Sequence, residues 1–320
     1  MFRHPNETQL TAFLDHQQTT QSKTKFVVSH FDSVKHFSIH PDQILSTNFR
    51  SVDAVDSLKS IDWFDLETTQ KNHTDLILKA IASMQTSKLH KVVLATALTY
   101  NGLSKSPIEY FKSILSRYKN AFNYLLFHPK HGLWMGATPE RLIAMHQSQL
   151  TTMALAGTRT LGSKLWGVKE KEEQAFVVNE IVHTLRKHTS KASIQCEDTI
   201  TIRAGQLEHL QTTIRAELEI SPLAAAHALH PTPAVGGVPK NAALDFIREY
   251  EQMDRSLYAG FLGIMGEEQT NLYVNLRCMS IRDDRAKVYV GGGITKKSNP
   301  QDEWHEVLEK ANTMGRILTS

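Results

Sequence analysis

Cysteine is almost missing from this chain: its 320 residues include two, Cys196 and Cys278. They form no CxxC and anchor no disulfide-dense module, which argues against a disulfide scaffold and sets a reducing compartment as the expectation. Long apolar runs are missing too. No stretch approaches the roughly 18 uninterrupted apolar residues of a membrane span, and the opening MFRHPNETQL has no apolar leader core, so a soluble cytoplasmic protein is expected. Neither sign of charge dominates. Lys plus Arg number 36 against 33 Asp plus Glu, and a net +3 gives no nucleic-acid surface, though it modestly favours a small anion. Repeats, low-complexity tracts and Pro/Ser linkers are absent, and 41% hydrophobic content supports a sizeable core, so residues 1–320 are taken as one domain.

What is present is rich in strands. Residues 1–75 are polar, with pieces such as KFVVSHF (25–31) and no motif tied to chemistry. HKVVLATALTY (90–100) is β-branched and apolar enough for a buried strand. FNYLLFHP (122–129), GLWMGA (132–137) and RLIAMH (141–146) follow in hairpin-like succession, which predicts antiparallel pairing. Val178, Ile181, Val182 and Leu185 recur at helical spacing within a predicted helix over 168–188. Further strands are expected near 193–202, 207–218, 258–266, 271–282 and 286–292, with helices near 221–229, 240–252 and 300–318. Runs of strands broken by a few helices, without strict alternation, predict an α+β fold on large antiparallel sheets.

The densest stretch is VGGGITKKSNPQDEWHEVLEK, residues 290–310. Three glycines end an apolar run, Asn299 caps a helix, Pro300 suits its first position and Asp302 its first turn. Against the stripe Val307, Ala311, Met314 and Leu318, Glu303 lies at roughly 60° and Glu306 at roughly 120°, on the same side. VKEKEEQAFVVNEIV repeats the arrangement, with Glu170 and Glu173 at roughly 70° and 130° from their stripe. If both stripes pack on one sheet, two acidic pairs converge on one crevice, where a hard cation such as Mg²⁺ relieves their repulsion. Acidic residues near helix N-termini are also favoured by the macrodipole alone, so spacing does not choose between the two readings. GGGITK is not GxGxxG and has no βαβ unit around it, which argues against a dinucleotide site.

An ordered set of motifs surrounds these helices: KVVLA (91–95), GATPERL (136–142), LAGTR (155–159), KEKEE (169–173), HPTPAVGGVPK (230–240), DRSLYAGFLG (254–263), NLRCM (275–279), and GGGI through EWHEVLEK. Together they resemble the chorismate-utilising enzymes, the anthranilate synthase component I-like family, and within it the isochorismate synthases most closely. The resemblance covers roughly residues 88–318 and leaves 1–75 as a shortened N-terminal part. It implies a single α+β domain of two large, mainly antiparallel sheets with helices packed outside, a Mg²⁺-dependent site between them and chorismate as substrate. By the same resemblance Glu173 and Glu306 are direct metal ligands, while Glu170 and Glu303 hold coordinated waters or outer contacts. Gly291 and Gly293 can then bring backbone N–H groups close to a substrate carboxylate.

Other roles also follow from the resemblance. Lys91, which as a strand lysine also fits a solvated edge position, becomes the base that deprotonates water. Glu140, otherwise an ordinary turn carboxylate, becomes the acid that protonates the departing C4 hydroxyl while water enters at C2. Arg277, read as lying in an apolar strand, becomes a bidentate clamp for a substrate carboxylate, with Tyr258 contacting the same group. Thr158, His209 and Lys310 match positions lining the pocket, although Lys310 also suits an i, i+4 partner of Glu306.

Within the family, Lys91 favours water over ammonia as nucleophile, and Ala156 stands where aminodeoxychorismate synthases resemble this segment with a nucleophilic lysine. Ala234 resembles the alanine of isochorismate synthases, where pyruvate-eliminating relatives tend to carry threonine. Salicylate synthesis and a catalytically silent chorismate-binding subunit remain as alternatives. Departures from the family pattern fall at Gly292, Lys297 and Leu257. No glutaminase partner and a monomer are expected, and the product would feed menaquinone or siderophore synthesis.

Overall fold

The computed structural model describes residues 1–16, 22–32, 35–50, 60–162, 165–189, 194–204 and 207–319; the side chains of Thr158, Thr160, Lys169, Ala204 and Leu207 lie outside the described set. In chain order the N-terminal part holds β1 (Phe2–Arg3), β2 (Gln9–Leu14), β3 (Lys25–Ser29), β4 (His36–Ile39), β5 (Gln43–Asn48) and α1 (Leu66–Thr86). Then come β6 (Lys91–Asn101), α2 (Pro107–Arg117), β7 (Phe122–His128), β8 (Gly132–Thr138), β9 (Arg141–His146), β10 (Gln149–Thr160) and α3 (Val168–Arg186). After these follow β11 (Gln195–Cys196), β12 (Ile200–Ala204), β13 (Leu207–Glu217), α4 (Pro222–Leu229), β14 (Gly237–Val238) and α5 (Lys240–Tyr250). The chain continues through β15 (Phe261–Met265), β16 (Gln269–Val274), β17 (Cys278–Arg282), β18 (Arg285–Thr295) and α6 (Pro300–Leu318).

Two nine-stranded sheets result. The first runs β14-β6-β18-β17-β8-β7-β1-β2-β5; the second runs β11-β13-β10-β9-β16-β15-β3-β4, with β12 also on β13. Strand alternation assigns the two cores. On β7, Phe122, Tyr124 and Leu126 join the main core with Val27, Ile143 and Leu272 of the second sheet, whereas Leu125 faces a separate core beneath α2 and α6. The expected α+β fold of two antiparallel sheets with flanking helices is therefore what the chain adopts. Among the described residues no helix is long and apolar enough to cross a membrane.

The differences from the sequence reading lie where the sheets exchange strands. Segments 132–137 and 141–146 do not form a hairpin with each other: β8 pairs with β7 and β17 in the first sheet, β9 with β10 and β16 in the second. Pro139 stands between them, and a residue without N–H suits a crossover better than a ladder. Likewise 271–282 is not one strand. β16 belongs to the second sheet and β17 to the first, and the break carries Arg277 at φ 47. Arg277 is thus on a left-handed crossover, not in a strand. The glycines do not end their strand either, because β18 pairs with β6 continuously from Arg285↔Asn101 to Thr295↔Lys91. Helices α1 and α2 and strand β10 had no counterpart in the sequence reading.

Candidate active site

The glycine segment of β18 is the hub. Among the described residues only β6 pairs with it there, because β17 stops at Cys278↔Tyr289, leaving one edge of residues 290–295 without a strand. The Gly291 carbonyl accepts from Lys310 Nζ at 3.0 Å, so its peptide groups face that edge, and with a period of two so do those of Gly293. Crowding calls for glycine most strongly at Gly291. A Cβ on Gly291 would stand 2.9 Å from the Tyr258 hydroxyl and 3.0 Å from the Leu94 carbonyl, and one on Gly293 would stand 3.0 Å from Lys91 Cε. At Gly292 the nearest atom would be Glu303 Oε2, 3.5 Å away. Lys91, Tyr258, Glu303 and Lys310 therefore all gather on three backbone residues.

Glu140 sits at the β8–β9 crossover, with Val274 N–H donating to its carbonyl at 2.9 Å. Its residue keeps some exposed surface, yet its carboxyl is desolvated and pushed up to about 7, with the charge of Lys91 opposing the rise. A carboxyl of this kind is still protonated near neutrality and can donate a proton. A reaction that draws on that proton loses rate as pH rises through about 7, where Glu140 ionises. A pH profile of kcat/KM should show this descending limb, and Glu140→Gln should remove the limb together with about 10²- to 10⁴-fold of the rate.

Arg277 is half-buried, and desolvation pulls its guanidinium below the ordinary value; among the described residues no carboxylate pairs with it. Tyr258 is buried, which pushes its hydroxyl up and keeps it a donor. His209 lies on β13 with Nδ1 3.1 Å from the Gly157 carbonyl, and burial lowers its pKa, so the neutral ring carries its proton on Nδ1. The charges of Lys310, Arg277 and Glu306 all act on this ring, which places the four in one neighbourhood. Thr158 pairs with His209 through its backbone, beside a bulge at Gly157; its side chain lies outside the described residues. Gly157 has φ +65, and a Cβ there would come within 3.2 Å of Glu170 Cβ, so this glycine lets the start of α3 settle on the sheet. Ala234 lies on the loop whose Val235 and Gly236 carbonyls serve Arg255 and β6.

The acidic pair of α3 is placed more inwardly than its stripe predicted, whereas on α6 the stripe is as expected and Glu306 is exposed. On α3 the buried face runs through Gln174, Val177, Ile181 and Leu185, and Glu170 and Glu173 lie within roughly 40° of Val177. Glu173 Oε1 accepts from Lys91 Nζ at 2.8 Å, and Glu306 Oε1 pairs with Lys310 Nζ at 2.6 Å. Burial, then a Ser298 hydrogen bond that opposes it and the Glu306 charge that adds to it, leave the Glu303 carboxyl raised. The donors are hard oxygens of the kind Mg²⁺ takes, so the donor chemistry fits such a cation. Among the described residues no three acidic, His or Cys side chains already converge on one point. Two ammonium groups instead provide the positive charge that Glu173 and Glu306 require.

Several residues of evident importance escaped the sequence reading. Gln174 donates to the Ala154 carbonyl at 3.2 Å and to Thr212 Oγ1 at 2.9 Å, tying α3 to β10 and β13. Glu251 and Arg255 form a buried pair against β6; their i, i+4 spacing was a visible signal. A small, open pocket between α3, α4 and residues 231–240 is lined by none of the candidate catalytic side chains.

The site thus gathers a carboxyl raised by burial, two lysines and a guanidinium with no carboxylate partner among the described residues, on a fold of two antiparallel sheets. The chain belongs to the chorismate binding enzyme family, whose model matches residues 12–319. It is 30% identical over 263 residues to isochorismate synthase MenF of Haemophilus influenzae, covering 77% of this chain and 60% of that one. It is 28% identical to isochorismate synthase MenF of Escherichia coli, covering 89% and 69%. The chain thus spans roughly three-fifths to two-thirds of the length of these relatives. The solved structure of the menaquinone-specific isochorismate synthase MenF from Escherichia coli superposes with a TM-score of 0.84 over 99% of this chain and 87% of that one, at 21% identity. Anthranilate synthase component I from Streptococcus pneumoniae gives 0.78 over 95% and 83%, at 17% identity. At these identities the likeness is one of fold.

Proposed function

We propose that this chain is an isochorismate synthase, an isomerase that converts chorismate to isochorismate, with Mg²⁺ as its cofactor. The observation that carries the reading is the pairing of opposite demands: Glu140 lies within the field of the Lys91 charge, yet burial holds this acid protonated near neutrality. Lys91 Nζ takes a proton from water as its oxygen adds at C2, the ring double bond shifts, and the C4 hydroxyl leaves as water with the proton from Glu140. One water enters and one departs, so the net change is isomerisation. Arg277 and Tyr258 hold a substrate carboxylate, the Gly291 and Gly293 N–H groups cradle it, and Thr158, His209, Ala234 and Lys310 line the remaining pocket. Glu173 and Glu306 would bind the metal directly, and Glu170 and Glu303 would bind its waters. Mg²⁺, when bound, supplies positive charge for the carboxylate. The names of the Haemophilus influenzae and Escherichia coli relatives support this activity.

Incubation of the protein with chorismate and MgCl₂, without ammonia, should yield isochorismate by chromatography, and omission of Mg²⁺ should abolish it. Salicylate with pyruvate would instead identify a lyase. Anthranilate formed on adding ammonia would identify an aminating enzyme, and unchanged chorismate a binding subunit.

A further inference from the structure

The two turns that present Tyr258 and Arg277 are both irregular. Ser256, Ala259 and Arg277 have φ of 49, 56 and 47, the left-handed region that costs non-glycine residues energy and persists only when neighbours enforce it. One residue touches both turns. Asn275, 1% exposed, donates its backbone N–H to the Gly260 carbonyl at 2.8 Å, accepts from Ala259 N–H at 2.9 Å, and donates Nδ2 to the Leu257 carbonyl at 2.8 Å. Arg277 follows two residues later. The remaining polar atom, Asn275 Oδ1, accepts from the Tyr124 hydroxyl at 2.7 Å, across from β7 of the first sheet. The preceding residue, Val274, gives its N–H to the Glu140 carbonyl and its own carbonyl to Thr138 Oγ1 at 2.5 Å. The side-chain amide is therefore bonded through Nδ2 to the turn that carries Tyr258 and through Oδ1 to β7 of the first sheet, while its own backbone leads into Arg277.

We infer that Asn275, set by Tyr124, is a positioning residue that fixes Tyr258 and Arg277 relative to each other and so determines how tightly the substrate carboxylate is held. The inference rests on the proposed chorismate site. Neither side chain touches the substrate, and both act through the two turns. Because the turns bind a group that does not react, loosening them weakens ground and transition states alike, which raises KM and leaves kcat. A merely structural role behaves differently, lowering the active fraction, and with it apparent kcat and thermal midpoint, while KM stays fixed.

The test compares wild type, Tyr124→Phe, Asn275→Ala and the double variant, measuring KM and kcat with chorismate and Mg²⁺, chorismate Kd by calorimetry, and thermal midpoint. Tyr124→Phe should raise KM and Kd about tenfold with kcat within about threefold. Asn275→Ala should raise them further, and the double variant should exceed Asn275→Ala only slightly, because the phenol acts chiefly through the amide, its other polar neighbour being the Cys278 thiol. Unchanged KM and Kd alongside falling kcat and midpoint would overturn the inference, as would additive effects in the double variant. A wild type that binds chorismate without turning it over would refute the proposed reaction but leave the Kd series to decide the positioning role. A wild type that does not bind chorismate removes both.

Discussion

Lys91→Ala protein supplied with chorismate and Mg²⁺ should turn over about 10²- to 10⁴-fold more slowly than wild type, the range a positioned general base contributes. The structure makes the expectation more detailed than loss of a base. Lys91 opens β6, its stem passes over Gly293, and Nζ donates to Glu173. An ammonium bonded to a carboxylate cannot accept a proton, so Lys91 can serve as base only once Glu173 is satisfied elsewhere. Truncation removes that internal competitor, and calorimetric titration should show tighter Mg²⁺ binding to Lys91→Ala than to wild type. Burial is what raises Glu140 and Lys91 is what opposes it, so the alanine variant should also move the Glu140 titration above about 7. Lys91→Arg separates charge from proton transfer: it keeps a cation beside Glu173 and Glu140 but has no accessible neutral form. It should be as slow as the alanine variant while the Glu140 titration stays in place. An active arginine variant would remove the base assignment.

The contrast between what could and could not be read beforehand follows the range of the interactions. Helix α6 was legible because its signals are local: Asn299 Oδ1 caps Gln301 and Asp302, Pro300 starts the first turn, and Val307, Ala311, Met314 and Leu318 are all buried as their spacing required. Of the expected α3 stripe Ile181 and Leu185 are buried, while Val178 and Val182 are only partly so and Val177 takes the inner place, because Val177 and Val178 are equally apolar and only packing against β10 and β13 selects between them. Helix α1 follows its own helical stripe of His73, Ile77, Ala80 and Met84, but a buried histidine disguised it; burial drives His73 to about 4, so it packs as a neutral ring. The crossovers were illegible. β16 and β17 each continue the same apolar run, and only their partners in different sheets reveal the left-handed break at Arg277. The residue types of the site were thus visible in sequence, whereas the backbone geometry that aims Arg277 was not.

Arg255→Ala should destabilise the protein by about 3–5 kcal/mol, the usual cost of leaving one member of a buried ion pair alone. Arg255 and Glu251 are 4% and 2% exposed, and their contacts explain why they are buried at all. Strand β14 covers β6 only at Lys91 and Val92, and the Gly236 carbonyl takes Val93 N–H. Beyond that point, among the described residues, no further strand covers this edge of β6, and Phe64 bridges it only at Thr99. Arg255 Nη2 donates to the Val93 carbonyl at 2.7 Å and Glu251 Oε2 accepts Ala95 N–H at 2.9 Å, so two side chains complete the ladder. The guanidinium also bonds both Glu251 oxygens and lies over the Phe31 ring at 4.0 Å. Its loss strands a carboxylate in the core and a carbonyl on β6, and the thermal midpoint should fall on the order of 10 °C. Arg255→Lys should recover only part of this, since an ammonium cannot span both carboxylate oxygens and the Val93 carbonyl. The double replacement Glu251→Gln with Arg255→Met should be less destabilising than Arg255→Met alone, because no unpaired charge remains buried. A double variant worse than the single one would mean that the pair matters for its backbone bonds more than for its charge. The other face of this segment pairs Val93, Leu94 and Ala95 with Gly293, Gly292 and Gly291, so a loosened β6 edge also displaces the glycine hub. In the double variant, activity should therefore fall further than the recovered stability would account for.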